Sequence, residues 1–327
     1  GVDVPTITTI GFEDFNVGGS ETLDAGVRIF GVNNPSVAQD LEPEHIAVSL
    51  DNRKLFVTLQ ENNAVAVIDL ASLSIDRIVA LGSKNFGVAG NELDVNDNGN
   101  IDIRTWDGVY GLYRFGNKNY FVTANEGKVR ANAAFTEAVR AQELDGVGGN
   151  PSIDTANPSF LAAQDSDQLG RLFASTKAGD TDDDGDIDQI SAFGARSFSI
   201  WNEDGELMYD SGSDLAKVTQ AIAASGFNDG DQGSDESGAK PKGLALLSSL
   251  SRIYAFVSLE RTGGIAVYDI TSPLGVQFVQ YVNKREGVAY GADGITAFFL
   301  DGSAYLAIAN AETGNVRVIQ IDPGLTQ

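Results

Sequence analysis

The 327-residue chain has no cysteine, one histidine and one methionine, and its 22 Lys and Arg stand against 46 Asp and Glu. Without cysteine there are no disulfides, no zinc–thiolate sites and no thiol nucleophile. A formal charge of −24 repels nucleic acid and anionic membrane surfaces and attracts cations. No apolar run approaches the roughly 18 residues that a membrane span needs. A serine triad would have to use His45, which lies between Glu44 and Ile46 with no marked nucleophile beside it. It reads as a strand-end residue. Neither a G-x-S-x-G elbow nor a phosphate-binding P-loop is present, and the Asn-Pro-Ser triplets at 34–36, 150–152 and 157–159 carry the proline that blocks N-glycosylation. A start at Gly1 rather than Met is expected of a mature product without its signal peptide. A secreted chain without disulfides needs another staple, and bound metal is a common one.

What is present is a repeat. Residues 43–70 ("PEHIAVSLDNRKLFVTLQENNAVAVIDL"), 241–270 ("PKGLALLSSLSRIYAFVSLERTGGIAVYDI") and 292–321 ("ADGITAFFLDGSAYLAIANAETGNVRVIQI") share one pattern. A partial copy at 106–127 finds its closing strand in "ARSFSIWN" at 195–202, after a long insertion. Each unit is three strands rich in Val, Ile, Phe, Tyr and Ala, joined by Asn-, Asp- and Gly-bearing turns. An outer strand at 74–82 or 276–284 brings the unit to four strands in about 40–45 residues, the size of a propeller blade. The fold expected is all-β, a β-propeller over 1–327 as one domain, with an insertion at about 128–194 and two short helices, at 133–144 and 213–226. A β-sandwich is the alternative.

The insertion carries "GDTDDDGDIDQI" at 179–190, with six aspartates. Asp180, Asp182, Asp184, Gly185, Asp186, Ile187 and Asp188 match D-x-D-x-D-G-x-I-x, the start of an EF-hand-like calcium loop. Alternate side chains curl their oxygens around one hard cation, the glycine makes the sharp turn, and the Ile anchors the loop on the core. Asp94, Asn96, Asn98, Gly99, Asn100, Ile101 and Asp102 repeat the pattern at lower charge. The twelfth position, usually a bidentate Glu, falls on Thr105 and Ser191, so a remote carboxylate or water must complete each shell. Both are read as structural Ca2+ loops. The competing reading is a solvated acidic turn, since turns favour Asp and Asn.

The repeats also align a second set of acids. Glu61, Glu126, Glu260 and Glu312 follow the second strand, and Glu44, Asp107 and Asp293 precede the first, with Lys242 breaking the series. Equivalent positions of successive blades converge on the propeller axis, so these are candidate channel-mouth acids for cations, or for phosphate through them. Glu in a polar turn also serves solubility alone, and the pattern does not choose.

Residues 37–70, "YFVTANEG" (120–127), "GDTDDDGDID" (179–188), "ARSFSIW" (195–201) and "YAFVSLERTGGIAVYDITSP" (254–273) resemble the extracellular choice-of-anchor I proteins. That family takes in proteins called alkaline-phosphatase-like and surface glycoproteins of biomineralising animals. The resemblance runs in order across nearly the whole chain and implies a secreted or surface-anchored, seven-bladed, calcium-binding propeller. Relatives have about two further blades before the segment matching 5–40. Here the chain is a piece, the ring closes differently, or a second copy or partner chain completes it. The family's "PEPEG" reads "AKPKG" here, with Lys240 and Lys242 where glutamates stand, and its late "PEG" reads "ADG" at Asp293. These changes weaken a metal-dependent active centre. The expected function is a non-catalytic Ca2+-binding extracellular propeller in adhesion, assembly or mineral contact. The alternative is a calcium-dependent phosphoesterase.

Overall fold

The computed structural model describes residues 6–19, 21–49, 51–106, 109–112, 122–132, 135–202, 204–249, 251–282 and 291–321. Asp107 lies outside them. The chain forms two compact units, residues 1–81 and 82–327.

In the first unit, β1 (Pro43–Val48), β2 (Lys54–Leu59), β3 (Ala64–Asp69) and β4 (Ser74–Ala80) form one antiparallel meander. Every residue of β3 but the last is buried, as its unbroken apolar run demands. The segment before the sheet covers it with Phe15, Val27 and Leu41, which join Val57, Leu59, Ala64, Ala66, Ile68 and Ile78 in one core. Buried Asn62 ties that segment down by donating to the carbonyls of Arg28 and Asp40. The buried Asp40 carboxylate accepts the Phe30 and Gly31 N–H groups.

In the second unit, β15 (Pro241–Ser249), β16 (Arg252–Leu259), β17 (Ile265–Asp269) and β18 (Gln277–Val282) form a second meander, and β19 (Ala292–Leu300), β20 (Ser303–Asn310) and β21 (Asn315–Ile321) a third. All three begin with the same irregularity, between Pro43 and Ile46, Pro241 and Leu244, and Ala292 and Gly294. A shared bulge at one register position marks a structural repeat, and Pro is tolerated there because it opens the strand. The partial copy also closes as the repeat requires. β7 (Val122–Ala124) pairs antiparallel with β13 (Phe198–Trp201), and β13 with β14 (Leu207–Asp210).

The intervening chain builds a five-stranded sheet in the order β10 (Ala138–Arg140), β11 (Phe173–Ser175), β12 (Ile190–Phe193), β6 (Val109–Leu112), β5 (Ser83–Asn85). A small hairpin, β8 (Ala131–Asn132) and β9 (Phe135–Thr136), precedes β10. The architecture is all-β and of propeller type. The described residues hold five sheets of three or more strands, so seven blades are not counted among them.

One of the two expected helices is a correction. Within 133–144 the described residues form β9, β10 and a single 3-10 turn, Ala141–Glu143. Helix propensity is weak and tertiary contacts override it. Here Glu137, fully buried, accepts from the Ser175 hydroxyl, and Arg140 stacks on Phe173 and pairs with buried Asp235 at 2.7 Å. The other helix, Asp214–Ala223, forms within 213–226 as its pattern indicates and buries Leu215 and Thr219. Two one-turn helices, Val37–Asp40 and Phe160–Ala163, were not foreseen.

Candidate metal centre

The loop 179–190 leaves β11 and returns into β12. It turns through left-handed backbone at Gly179, Asp183 and Gly185, with φ of 108°, 62° and 98°. Gly185 donates its N–H to Asp180 Oδ2 at 3.0 Å, drawing the first ligand position over the sixth. Thr181 donates both its N–H and its hydroxyl to Asp188 Oδ2, and these bonds hold the Asp188 carboxyl below the usual carboxylate range. Ile187 is buried, anchoring the loop as its spacing predicts.

The aspartates separate into two groups. Asp180, Asp182 and Asp184 bring one carboxylate oxygen each to within 4.8 Å of one another, and so do Asp154, Asp186 and Asp188. Asp154, from the loop before helix Phe160–Ala163, has no sequence signal. Its placement is a backbone effect. Ile153 and Ile187 form a parallel bridge, with Ile187 N–H donating to Ser152 O and Asp154 N–H to Ile187 O, so residue 154 lies beside the far end of the acidic loop.

The charges are uncomfortable without a cation. Repulsion from Asp184 raises the Asp182 pKa. Burial first, then Asp184 and Asp154, raises that of Asp186, whose Oδ1 is shielded from solvent and has no hydrogen-bond partner. The donor set is all carboxylate oxygen, the hard ligand type that suits calcium rather than a thiophilic metal. The residues present therefore fit a divalent hard cation.

The loop at 94–102 is arranged differently. Asp94 is 2% exposed, and its two carboxylate oxygens accept N–H groups of Asn96 and Asp102. Burial pushes its pKa up to about 6. Asn98 accepts the N–H of Asn100, and Gly99 N–H donates to Asp231 Oδ2. Asp94 and Asp102 join neither three-carboxylate group. The loop closes on its own backbone and on Asp231, which the spacing did not reveal.

The aligned acids of the second unit do meet, and lysines meet them. Lys240 lies 3.7 Å from Glu126 and 2.6 Å from Glu260, and Lys242 lies 3.3 Å from Glu260 and 2.5 Å from Asp293. Burial raises the Glu126 pKa against the pull of the two lysines. Glu312 lies against Gly291, where an added Cβ would strike it. In the first unit Glu61 is buried, while Glu44 lies 3.9 Å from the half-exposed ring of His45 on β1.

Sequence reasoning missed a further buried charge. Lys84 is 3% exposed and donates to the carbonyls of Ala195 and Gly212, 3.1 Å from Asp210. Asp210 in turn accepts from Ser197 and Ser199, both bonded to Asn125. The group ties β5 to the β7–β13–β14 sheet.

Blade-like meanders with an acidic ligand loop in an insertion define an all-β repeat domain with a candidate divalent-cation centre. The choice-of-anchor I domain model matches residues 1–273, and the chain belongs to that family. Gigasin-3a of Magallana gigas is 34% identical over 116 residues, 32% of this chain and 40% of that protein, so the match spans less than half of that relative. Among solved structures, the chain is similar to hydrazine synthase of Kuenenia stuttgartiensis (14% identity, 88% of this chain and 86% of that one, TM-score 0.24). It is also similar to a protein of unknown function from Bacteroides thetaiotaomicron (16%, 88% and 61%, TM-score 0.26). A third is the β-propeller domain of Myceliophteria thermophila Cps50 (10%, 86% and 84%, TM-score 0.24). Scores this low carry no argument, and the fold rests on the sheets described above. No helix among the described residues is long and apolar enough to cross a membrane.

Proposed function

We propose that the protein is a non-catalytic, calcium-binding extracellular propeller domain that acts in surface or matrix adhesion and assembly. The observation that carries the reading is the convergence of Asp180, Asp182 and Asp184 in one glycine-turned loop, and of Asp186 and Asp188 of that loop with Asp154 from another. Calcium held there would join β12 to the Ile153 bridge and act as the staple that a chain without cysteine lacks. Family membership supports a cell-surface or extracellular setting. The phosphoesterase alternative needs acids free to hold catalytic calcium. In the second unit Glu126, Glu260 and Asp293 already have Lys240 and Lys242 as counterions, which favours the non-catalytic reading.

The test is a calcium titration of the melting temperature, with aryl-phosphate and phytate hydrolysis measured on the same samples. Calcium is expected to raise the melting temperature of the unchanged chain. The gain should vanish in the double variant Asp180→Asn, Asp184→Asn, which should melt like the unchanged chain in excess chelator. Equal losses with and without calcium would show that the loop holds no ion. Calcium-dependent turnover abolished by Glu126→Gln would establish the enzyme instead.

A further inference from the structure

Lys84 differs from other paired lysines of the second unit in how completely water is kept from it. Its side chain is 2% exposed and that of its partner Asp210 12%. Lys217 against Glu92, Lys240 against Glu260 and Lys242 against Asp293 are 51%, 23% and 29% exposed. For a buried ammonium–carboxylate pair the desolvation penalty can exceed the attraction. Burial accordingly pushes the Lys84 pKa down, against the pull of Asp210. Passing one proton from the ammonium to the carboxylate removes both charges. It leaves an amine facing a carboxylic acid, the two reactants of an amide bond.

The two oxygens of the Asp210 carboxyl are held differently, as such a condensation requires. Oδ2 accepts from the Ser197 and Ser199 hydroxyls at 2.6 Å each, and from Asn125 Nδ2 at 3.4 Å. Donors fixed on one oxygen stabilise the negative charge that builds there in a tetrahedral intermediate. Oδ1 lies 3.1 Å from Lys84 Nζ and accepts the Gly212 N–H at 2.8 Å. The carbonyls of Ala195 and Gly212 hold Nζ at 3.0 and 2.8 Å, so the nucleophile is positioned before any reaction. Beside it lies a cavity of about 20 Å3, lined among others by Lys84, Ala195, Gly212 and Ser213. That is room for one water.

We propose that Lys84 and Asp210 condense to an intramolecular isopeptide bond, a covalent modification that joins β5 to β14. The Nζ lone pair attacks Asp210 Cγ, the Cγ–Oδ1 bond breaks with its electron pair on oxygen, and Oδ1 leaves as water with two of the three ammonium protons. Oδ2 becomes the amide oxygen, still held by Ser197 and Ser199, and the third proton stays on Nζ. No oxidant or co-reactant is consumed. The cross-link closes a loop that contains the whole acidic segment 179–190, and, as with a disulfide, a long closed loop restricts the unfolded chain most. It gives a chain without cysteine a covalent tie, and it does not rest on calcium.

Mass spectrometry of the purified full chain, kept folded at neutral pH until its mass stops changing, tests the proposal. The expected intact mass is that of the sequence less one water. Trypsin should fail to cut after Lys84 and should release a branched peptide in which Lys84 and Asp210 are joined side chain to side chain. Lys84→Arg keeps the buried cation but cannot form this amide. Its mass should equal its own sequence, with no branched peptide, and circular dichroism establishes that it folds. A full sequence mass for the unchanged chain, with Lys84 released as an ordinary tryptic end, would overturn the proposal whatever the variant does. So would a lost water without the branched peptide, which is the mark of a succinimide at an Asp-Gly pair.

Discussion

Lys240 and Lys242 show how one residue type decides the chemistry of a cluster. Each stands between two carboxylates, so Lys240→Glu with Lys242→Glu would set five acids together and remove both bridging ammonium groups. The double variant is expected to lose about 2 kcal/mol or more in chelator. Calcium should restore part of that loss, an effect absent from the unchanged cluster and readable by denaturant unfolding. Glu92 gives a pH-dependent counterpart. Its carboxylate accepts from Lys217 and Ser213, and these bonds lower its pKa from 4.5 to about 2. A carboxyl held below its unfolded value stabilises the fold above the unfolded pKa and loses that contribution as pH falls through the folded one. Glu92→Gln should thus cost about 1 kcal/mol near neutrality, and the gap from the unchanged chain should close between pH 4.5 and about 2. At this scale Asp180, Asp182 and Asp184 were legible from spacing alone. Asp154 was not, because a backbone bridge brings it in. Asp154→Asn is expected to weaken calcium binding by calorimetry while leaving the chelator-treated melting temperature almost unmoved.

At the scale of elements, the repeat was readable because alternation, turn residues and apolar runs are local. Leu59 and Leu259 occupy one repeat position, each 0% exposed and each opposite the proline that opens its sheet. Leu59→Ala and Leu259→Ala are each expected to cost about 2–5 kcal/mol through lost burial and the cavity left behind, measured by denaturant midpoint. The segment at 133–144 shows the limit of such reading. Ala, Glu, Gln and Arg favour helix in isolation, but a buried Glu137 and an Arg140–Asp235 pair draw the chain into strands. Neither partner of that pair is near the other in sequence.

Over the whole molecule, charge of one sign sets the balance. At −24 the folded chain repels itself, and salt screens that repulsion within about 8–10 Å at physiological strength. Added sodium chloride is therefore expected to raise the melting temperature in chelator, and calcium to do so at far lower concentration if the loop captures it. A melting temperature indifferent to sodium chloride would show that the acids are dispersed enough not to matter.

From sequence alone followed the all-β class, the repeated meander, the closing of β7 by β13 across a long insertion, the glycine-turned acidic loop and the exclusion of thiol chemistry. These depend on periodicity, turn chemistry and composition, which act over a few residues or over the chain as a whole. Tertiary structure alone decided that the loop's aspartates divide into two groups with Asp154 in the second. It also decided that Lys240 and Lys242 pair with Glu126, Glu260 and Asp293. Each of these depends on which distant segments touch, and contacts between distant segments are set by packing that no local pattern encodes.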